Sequence, residues 1–274
     1  MLVLPRFVDV FVAQVRETAC SIVQTLMTPS FNSRADTYAE AAVVQRDLAA
    51  WLAQWLEPAA ATGRLGALEL GAGDGLFTER LAGRFDWLQA VDSAPRMVER
   101  GAFRVPGIHW LLGDAWTLEP TPSRQPDRLY SASLMQWCPD PAAVLRRWRE
   151  CIRPGGRALH GFYAAPTLAE WHSLSPANSP FAWREPAAWL QHFRAAGWRV
   201  LRSETETREY RFPSAIALLR FFHRTGATAS PRLSAGQLRT MLRELDRRHP
   251  STNGTRGVPT EWTFLRVEAE SPLA

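Results

Sequence analysis

The chain contains no lysine: all 32 basic residues among its 274 are arginine. This absence accompanies a general richness in alanine and arginine, a compositional bias. Its physical consequence is that every cationic contact must be made by a planar guanidinium, which can fork two hydrogen bonds at once. Cysteine is scarce as well. Cys20, Cys138 and Cys151 lie far apart, with no metal-ligand spacing and no disulfide framework, which predicts a reducing, cytoplasmic setting. No stretch approaches the roughly 18 uninterrupted apolar residues of a membrane span, so no membrane partner is expected. Tyrosine is rare, but 12 tryptophans and 13 phenylalanines exclude disorder as the main state. The net charge of +5 bears on solubility and non-specific association, not on fold. The arginines are spread along the chain without an added basic domain, so no nucleic-acid partner is expected.

At roughly 100–200 residues per domain, the length fits one large domain, with room for an inserted subdomain. Residues 1–26 have apolar positions at roughly helical spacing, but Arg6, Asp9, Arg16 and Glu17 interrupt any signal-peptide core. Their balanced charge also argues against an interfacial helix. The expectation is an extension over 1–26 that is not native, a start at Met27, and a single domain over 27–274. Within it, 39–57 read as one amphipathic helix closed by Pro58 and Gly63. Strand-like and helix-like segments then alternate: strands at 66–70, 87–91, 108–112, 127–133 and 157–163, helices at 76–85, 94–101 and 141–151. This alternation predicts a parallel sheet with helices on both faces. Beyond 164 the pattern changes to a helix over 184–196, an alternating strand over 198–212, helices over 214–225 and 234–248, and a last strand over 261–270.

The stretch LELGAGDGLF (68–77) runs from a strand through Gly71, Gly73 and Gly75 into a helix. Glycines let backbone turn sharply and approach a ligand closely. Asp92 ends the next strand, 17 residues after Gly75, where a carboxylate can accept both hydroxyls of a ribose. Asp114 follows the third strand, where it can meet an adenine amino group. Three such features at consecutive strand C-termini coincide with the place where open α/β sheets bind ligands. Glu69 sits in the strand end itself. It disfavours a pyrophosphate and suits the ammonium of a methionine moiety.

The set E-x-G-x-G-x-G, then VD, then GDA, then RPGG before a strand resembles the class I S-adenosylmethionine-dependent methyltransferases over about residues 65–165. The resemblance implies a Rossmann-like α/β sheet of seven strands, mostly parallel with an antiparallel last strand, and S-adenosyl-L-methionine as cofactor. It implies cofactor contacts at Tyr38, Glu69, Gly71, Ala72, Gly73, Asp92, Ser93, Met97, Asp114, Ala115 and Ser131. Further segments (Phe31, Arg34, Ala35, Tyr38, Ala42 and Gln45; QWCPDP after the fourth strand; TLAEWH; the Gly-Ala-Thr at 226–228; VPTEWTF) look like the malonyl-acyl-carrier-protein O-methyltransferases of biotin synthesis, over about 31–269. The implied partner is an acyl carrier protein carrying malonyl, or malonyl-coenzyme A. The segment 213–250 would then be a helical substrate cap inserted before the last strand. The chain departs from that family where Ala132 and Ser133 replace an expected Asn, and where His223 replaces a common lysine.

A malonyl carboxylate is already an anion at neutral pH, so its methylation needs no general base. What it needs is an oxygen held in line, about 3–3.5 Å from the methyl carbon, and a cation that keeps an anion in a partly dry pocket, for which a forked arginine is suited. Arg220 is the first candidate because it lies in the apolar run IALLRFFH, with Arg34 and Arg224 behind it. Gln136, Trp137 and His223 are expected to orient the substrate. No metal ligands are expected. His160 reads as a strand residue and not a catalyst, Trp116 is a candidate cover for the adenine, and Arg146, Arg147, Arg149 and Arg153 could meet an acidic carrier protein. Methylation of another small acid or natural product, and a non-catalytic methyltransferase-like assembly factor, are the competing readings.

Overall fold

In a computed structural model of the chain, the described residues are 31–121, 124–174, 183–227, 234–250 and 257–273. The expectation for 1–26 and a start at Met27 lies outside them, as do Thr228 and most of the loop expected at 251–257. The elements run α1 (Phe31–Ala41), α2 (Val43–Ala53), α3 (Ala59–Thr62), β1 (Gly66–Leu70), α4 (Thr78–Leu81), β2 (Trp87–Asp92), α5 (Pro95–Arg104), β3 (His109–Leu112), β4 (Arg128–Ala132), a 3₁₀ turn (Met135–Trp137), α6 (Pro141–Cys151), β5 (Arg157–Ala164), α7 (Ala169–Leu174), α8 (Pro186–Ala195), β6 (Arg199–Phe212), α9 (Ala215–Arg224), α10 (Ala235–Arg248) and β7 (Val258–Glu270).

One seven-stranded sheet has the order β3-β2-β1-β4-β5-β7-β6. Strands β1 to β5 pair in parallel. β7 runs antiparallel to both its neighbours, β5 and β6. The last strand is thus the reversed one, as expected, and α9 and α10 lie in the connection before it. The strand order reverses direction at β1–β4, the crevice where open α/β sheets take ligands. Every residue of β1 is buried, which fits an apolar run in a sheet covered on both faces.

One face of the sheet packs Trp148 of α6 and Trp189 and Phe193 of α8 against Phe162 and Val267. The other packs Ala49 and Leu52 of α2 against Leu159 and Tyr130. A further cluster joins Leu48, Leu218, Phe222, Trp262 and Phe264, fixing α9 to α2 and β7. Helix starts follow local chemistry. Asp140 accepts from the Ala143 N–H with Pro141 at the first helical position. Ser234 and Gln237 form a capping box on α10. None of the described helices is long and apolar enough to cross a membrane.

Two helices differ from expectation. The single helix expected over 39–57 is α1 and α2, broken at Ala42 (φ −74°, ψ 48°). No glycine or proline marks the break; the Arg46 guanidinium satisfies the Ala39 carbonyl there. The helix expected over 76–85 shrinks to Thr78–Leu81, because Gly75 and Gly83 both adopt positive φ, 92° and 74°, which ends a helix on either side.

Candidate functional site

A cavity of about 280 Å³ opens where β1, β2, β3 and β4 end, under α1 and α2. The glycine loop forms its floor. Gly71 has φ +66°, and a Cβ there would stand 2.7 Å from Leu134. Gly73 has φ +58°, and a Cβ there would meet nothing within 4 Å, so the backbone lies bare to the cavity. Asp92 braces this loop: its Oδ2 accepts from the Gly73 N–H at 2.8 Å and its Oδ1 from the Ala94 N–H at 2.9 Å. Burial pushes its carboxyl above the ordinary value, against those backbone bonds. Asp114 is exposed at the rim and accepts from the Trp116 N–H at 2.9 Å.

Glu69 is 1% exposed, and its Oε2 has no hydrogen-bond partner. Burial pushes its carboxyl up to about 8. Asp74, 2% exposed, binds Arg104 at 2.9 Å through Oδ2 while its Oδ1 is left without a partner. Gln45, on α2, also lines the cavity with an unpartnered Oε1. Three residues that line the cavity thus each keep a buried acceptor without a donor, and burying such groups is costly unless a ligand satisfies them. Their complement is a cation bearing N–H donors. The phenol of Tyr38 is held far above its ordinary titration range, first by burial and then by Asp74 and Asp92, so it stays a neutral donor.

The structure brings most of the sequence candidates together here: Tyr38, Glu69, Gly71, Ala72, Gly73, Asp92, Ser93, Met97, Asp114 and Ala115 all line the cavity, with Trp137 at the same wall. Trp116 lines it too and stacks on Trp148 at 5.9 Å. Ser133 also lines it, in a left-handed backbone conformation (φ 56°) that is strained for serine.

Other candidates are placed elsewhere. Ser131 does not reach the cavity: its Oγ bonds the Nδ1 of His160 at 2.8 Å inside the core, because its side chain leaves β4 on the opposite face. His160 is fully buried against Trp148 and Phe193, and burial lowers its imidazole to about 3. Arg220 also lies outside the described cavity wall. Ala215, Leu218, Phe221 and Phe222 form the buried face of α9, and Arg220 points away from it into solvent. Gln136 is buried beside the site without lining it, donating to the Ser133 carbonyl at 2.7 Å. His223 is exposed, and its Nε2 accepts from Arg34 at 2.5 Å. Arg224 pairs with Glu40 at 2.7 Å. The described cavity wall holds no arginine, histidine or cysteine.

Asp74 and Gln45 were not foreseen as site residues. Asp74 stands between Gly73 and Gly75, at a position that the E-x-G-x-G-x-G pattern leaves open. Gln45 carries a usable signal: it falls on the face of α2 that otherwise buries Leu48, Ala49 and Leu52, where a polar residue calls for a reason.

Residues 68–160 match the family model described as a methyltransferase domain. Over 203 residues the chain is 30% identical to the malonyl-[acyl-carrier protein] O-methyltransferase of Serratia marcescens, spanning 73% of this chain and 77% of that protein. Over 92 residues it is 38% identical to the trans-aconitate 2-methyltransferase of Methylobacterium radiotolerans, spanning 33% of this chain and only 35% of that protein. Among solved structures, a Bacillus halodurans chain described as a methyltransferase superposes with a TM-score of 0.62 at 14% identity, covering 82% of this chain and 98% of its own. The [4+2]-cyclase SpnF does so with a TM-score of 0.55 at 15% identity, covering 84% and 82%. Likeness at such identity speaks to the fold alone, and one fold hosts many chemistries.

Proposed function

Because the chain belongs to the S-adenosylmethionine-dependent methyltransferases, we propose that it methylates the free carboxylate of a malonyl thioester, borne by an acyl carrier protein or coenzyme A, as an early step of biotin synthesis. S-adenosylmethionine is the cofactor. The residues present fit it: bare backbone at Gly73, a carboxylate at the end of β2, and three unpartnered buried acceptors. Bound there, the cofactor supplies an electrophilic methyl group. Asp92 would hold its ribose and Asp114 its adenine. Glu69, Asp74 and Gln45 would receive the N–H donors of its methionine end, and Tyr38 and Met97 would close over it.

The observation that carries the substrate reading is the Serratia relative, matched over 77% of its length and so well beyond residues 68–160. The described residues of the cavity wall include no histidine or cysteine and the Tyr38 phenol is locked neutral, which fits an acceptor that arrives already ionised and needs no base; the cation to pair with that anion would have to come from outside this described wall. A hydroxyl or amine acceptor would ask for a base. Trp137 and Leu134 would shape the acceptor's entry. A second reading, methylation of a free small polyacid, is favoured by the 38% identity to trans-aconitate 2-methyltransferase over 92 residues.

The test is a methyl-transfer assay offering malonyl-carrier protein, malonyl-coenzyme A, free malonate and trans-aconitate in parallel. Methyl ester formation on the two thioesters, with little on the free acids, is expected. Turnover confined to trans-aconitate would replace the first reading with the second.

A further inference from the structure

Ser133 follows β4 directly and is bent into a conformation that a side chain disfavours. Among the described residues, Ser133 and Leu168 are the non-glycine residues with positive φ, 56° and 54°. Leu168 is buried in the apolar cluster under α9. Ser133 is half-buried and lines the cavity. A left-handed residue of this kind persists only where its surroundings over-determine it, and such residues gather at sites that use them. The surroundings do so here. The Ser133 N–H donates to the Gly161 carbonyl of β5 at 2.8 Å, and its carbonyl accepts from Gln136 Nε2 at 2.7 Å. These bonds fix the backbone and leave the hydroxyl as the part still free to turn.

The hydroxyl has one neighbour on the core side. Its Oγ stands 3.2 Å from the phenol oxygen of Tyr163 on β5. Tyr163 is 3% exposed, and among the described residues its phenol has no other hydrogen-bond partner. Burial holds that phenol well above its ordinary titration range, so it carries a proton. If Ser133 donated to Tyr163, the phenol proton would be buried without an acceptor, which is costly. With Tyr163 as donor, the Ser133 oxygen is engaged from the core and its own O–H is left to the cavity. The place of that O–H is specific. The next residue, Leu134, packs on Gly71 of the glycine loop, and Trp137 stands on the same wall. The described wall holds no arginine or histidine, so the donors it offers an anion are neutral ones.

We propose that the Ser133 hydroxyl orients the acceptor by donating to one oxygen of its carboxylate, with Tyr163 as the positioning residue behind it. This deepens the reading above and rests on its carboxylate acceptor. Held through one oxygen, the carboxylate keeps its second oxygen free for the methyl group. Ser133 retains its proton throughout and acts as no base. A hydrogen bond to an ionised acceptor is stronger than one to a neutral group, and the acceptor loses its charge as the ester forms. The bond is therefore strongest to the incoming anion and loosens toward product, so its loss falls on KM more than on kcat.

The experiment compares wild type, Ser133→Ala, Tyr163→Phe, the S133A/Y163F double variant and S133G/Y163F. Each is assayed on malonyl-carrier protein, malonyl-coenzyme A and trans-aconitate, with S-adenosylmethionine affinity measured by calorimetry. Ser133→Ala is expected to raise the acceptor KM by about tenfold or more, the size of one hydrogen bond to a charged group, with kcat changed less and cofactor affinity unchanged. Tyr163→Phe should raise KM about threefold where Ser133 is present and not at all where it is alanine, since it acts through that hydroxyl. S133G/Y163F removes the left-handed side chain and leaves no phenol unpaired. It should melt at or above the wild-type temperature and still show the raised KM, which separates the role in orientation from a role in folding. An unchanged acceptor KM in Ser133→Ala overturns the proposal and leaves the malonyl reading standing. An equal loss of cofactor affinity also overturns it, making Ser133 a support of the glycine loop. A wild type that methylates trans-aconitate alone, with the same losses in the variants, keeps Ser133 in this role and removes the malonyl reading. A wild type that methylates none of the three overturns both.

Discussion

Glu69 holds its carboxyl in a place where water cannot reach it and no donor meets its Oε2. Burial lifts it to about 8, so at neutral pH the free protein keeps this proton most of the time. A cation placed against it favours the charged form. Cofactor binding at pH 7 is therefore expected to release a proton, and affinity should rise between pH 6 and 8, by at most about tenfold per unit, and level off above. Calorimetry in two buffers of different ionisation enthalpy measures this directly. The wild-type binding enthalpy should depend on the buffer, and Glu69→Gln should abolish that dependence. A buffer-independent wild type would remove Glu69 from the methionine end. The residues of this site were unevenly legible. Gly71, Gly73, Asp92 and Asp114 could be read because they stand where strands end, and strand ends follow from the apolar runs. Asp74 and Gln45 could not be read that way, because their importance comes from what fails to meet them in three dimensions. Ser131 misled because β4 is buried on both faces, which hides the alternation that would give its direction.

At the scale of elements, α1 is a tie between the cofactor side and the cap. Ala94, at the start of α5, has no side-chain acceptor to offer. Asn32 of α1 supplies one, accepting from the Arg96 N–H at 2.9 Å. Asp36 pairs with Arg96 at 2.5 Å and with Arg100 at 2.9 Å, all three well exposed. On its other side, α1 donates from Thr37 Oγ1 to the Arg224 carbonyl at 2.8 Å and pairs Glu40 with Arg224. These two kinds of link differ in weight. A helix N-terminus that loses its acceptor costs about 1 kcal/mol, whereas exposed ion pairs are worth about 0–1 kcal/mol and fade with salt. Asn32→Ala should therefore lower the urea midpoint more than Asp36→Ala, and only the Asp36→Ala effect should shrink at high salt. The reverse order would mean that the ion pairs hold α1 in place. The sequence could not show this tie, because each half of it lies 60 or more residues away along the chain. It also suggested a buried Arg220 from the apolar letters around it. Helical period decides instead: with Leu218, Phe221 and Phe222 on one face, position 220 lies on the opposite one.

For the molecule as a whole, two buried groups set opposite limits on stability without cofactor. The His160 imidazole, lowered to about 3 by burial, is neutral in the fold and protonates near 6.5 when unfolded. The unfolded chain thus binds the extra proton, and stability falls as pH drops from about 6.5 toward 3, by about 1.4 kcal/mol per unit at full slope. Glu69 has the opposite sign. Its folded value lies above the unfolded one, so its contribution is whole below about 4.5 and is lost as pH rises toward about 8. Asp74 and Asp92, also raised by burial, act in the same direction as Glu69. Between about 4.5 and 6.5 the His160 and Glu69 slopes offset each other. The cofactor-free protein is therefore expected to melt highest on the acid side of neutrality, well below its sequence pI of about 9.7. Net charge does not determine this optimum; it follows from two side chains on opposite faces of the sheet, one serving the cavity and one the core. Thermal melts from pH 4 to 9 locate the maximum. Glu69→Gln removes the alkaline slope of one group and should move the maximum upward in pH without changing the acid limb. If the maximum stays where it was in that variant, the carboxyl in the cavity is not the group that limits stability above neutrality.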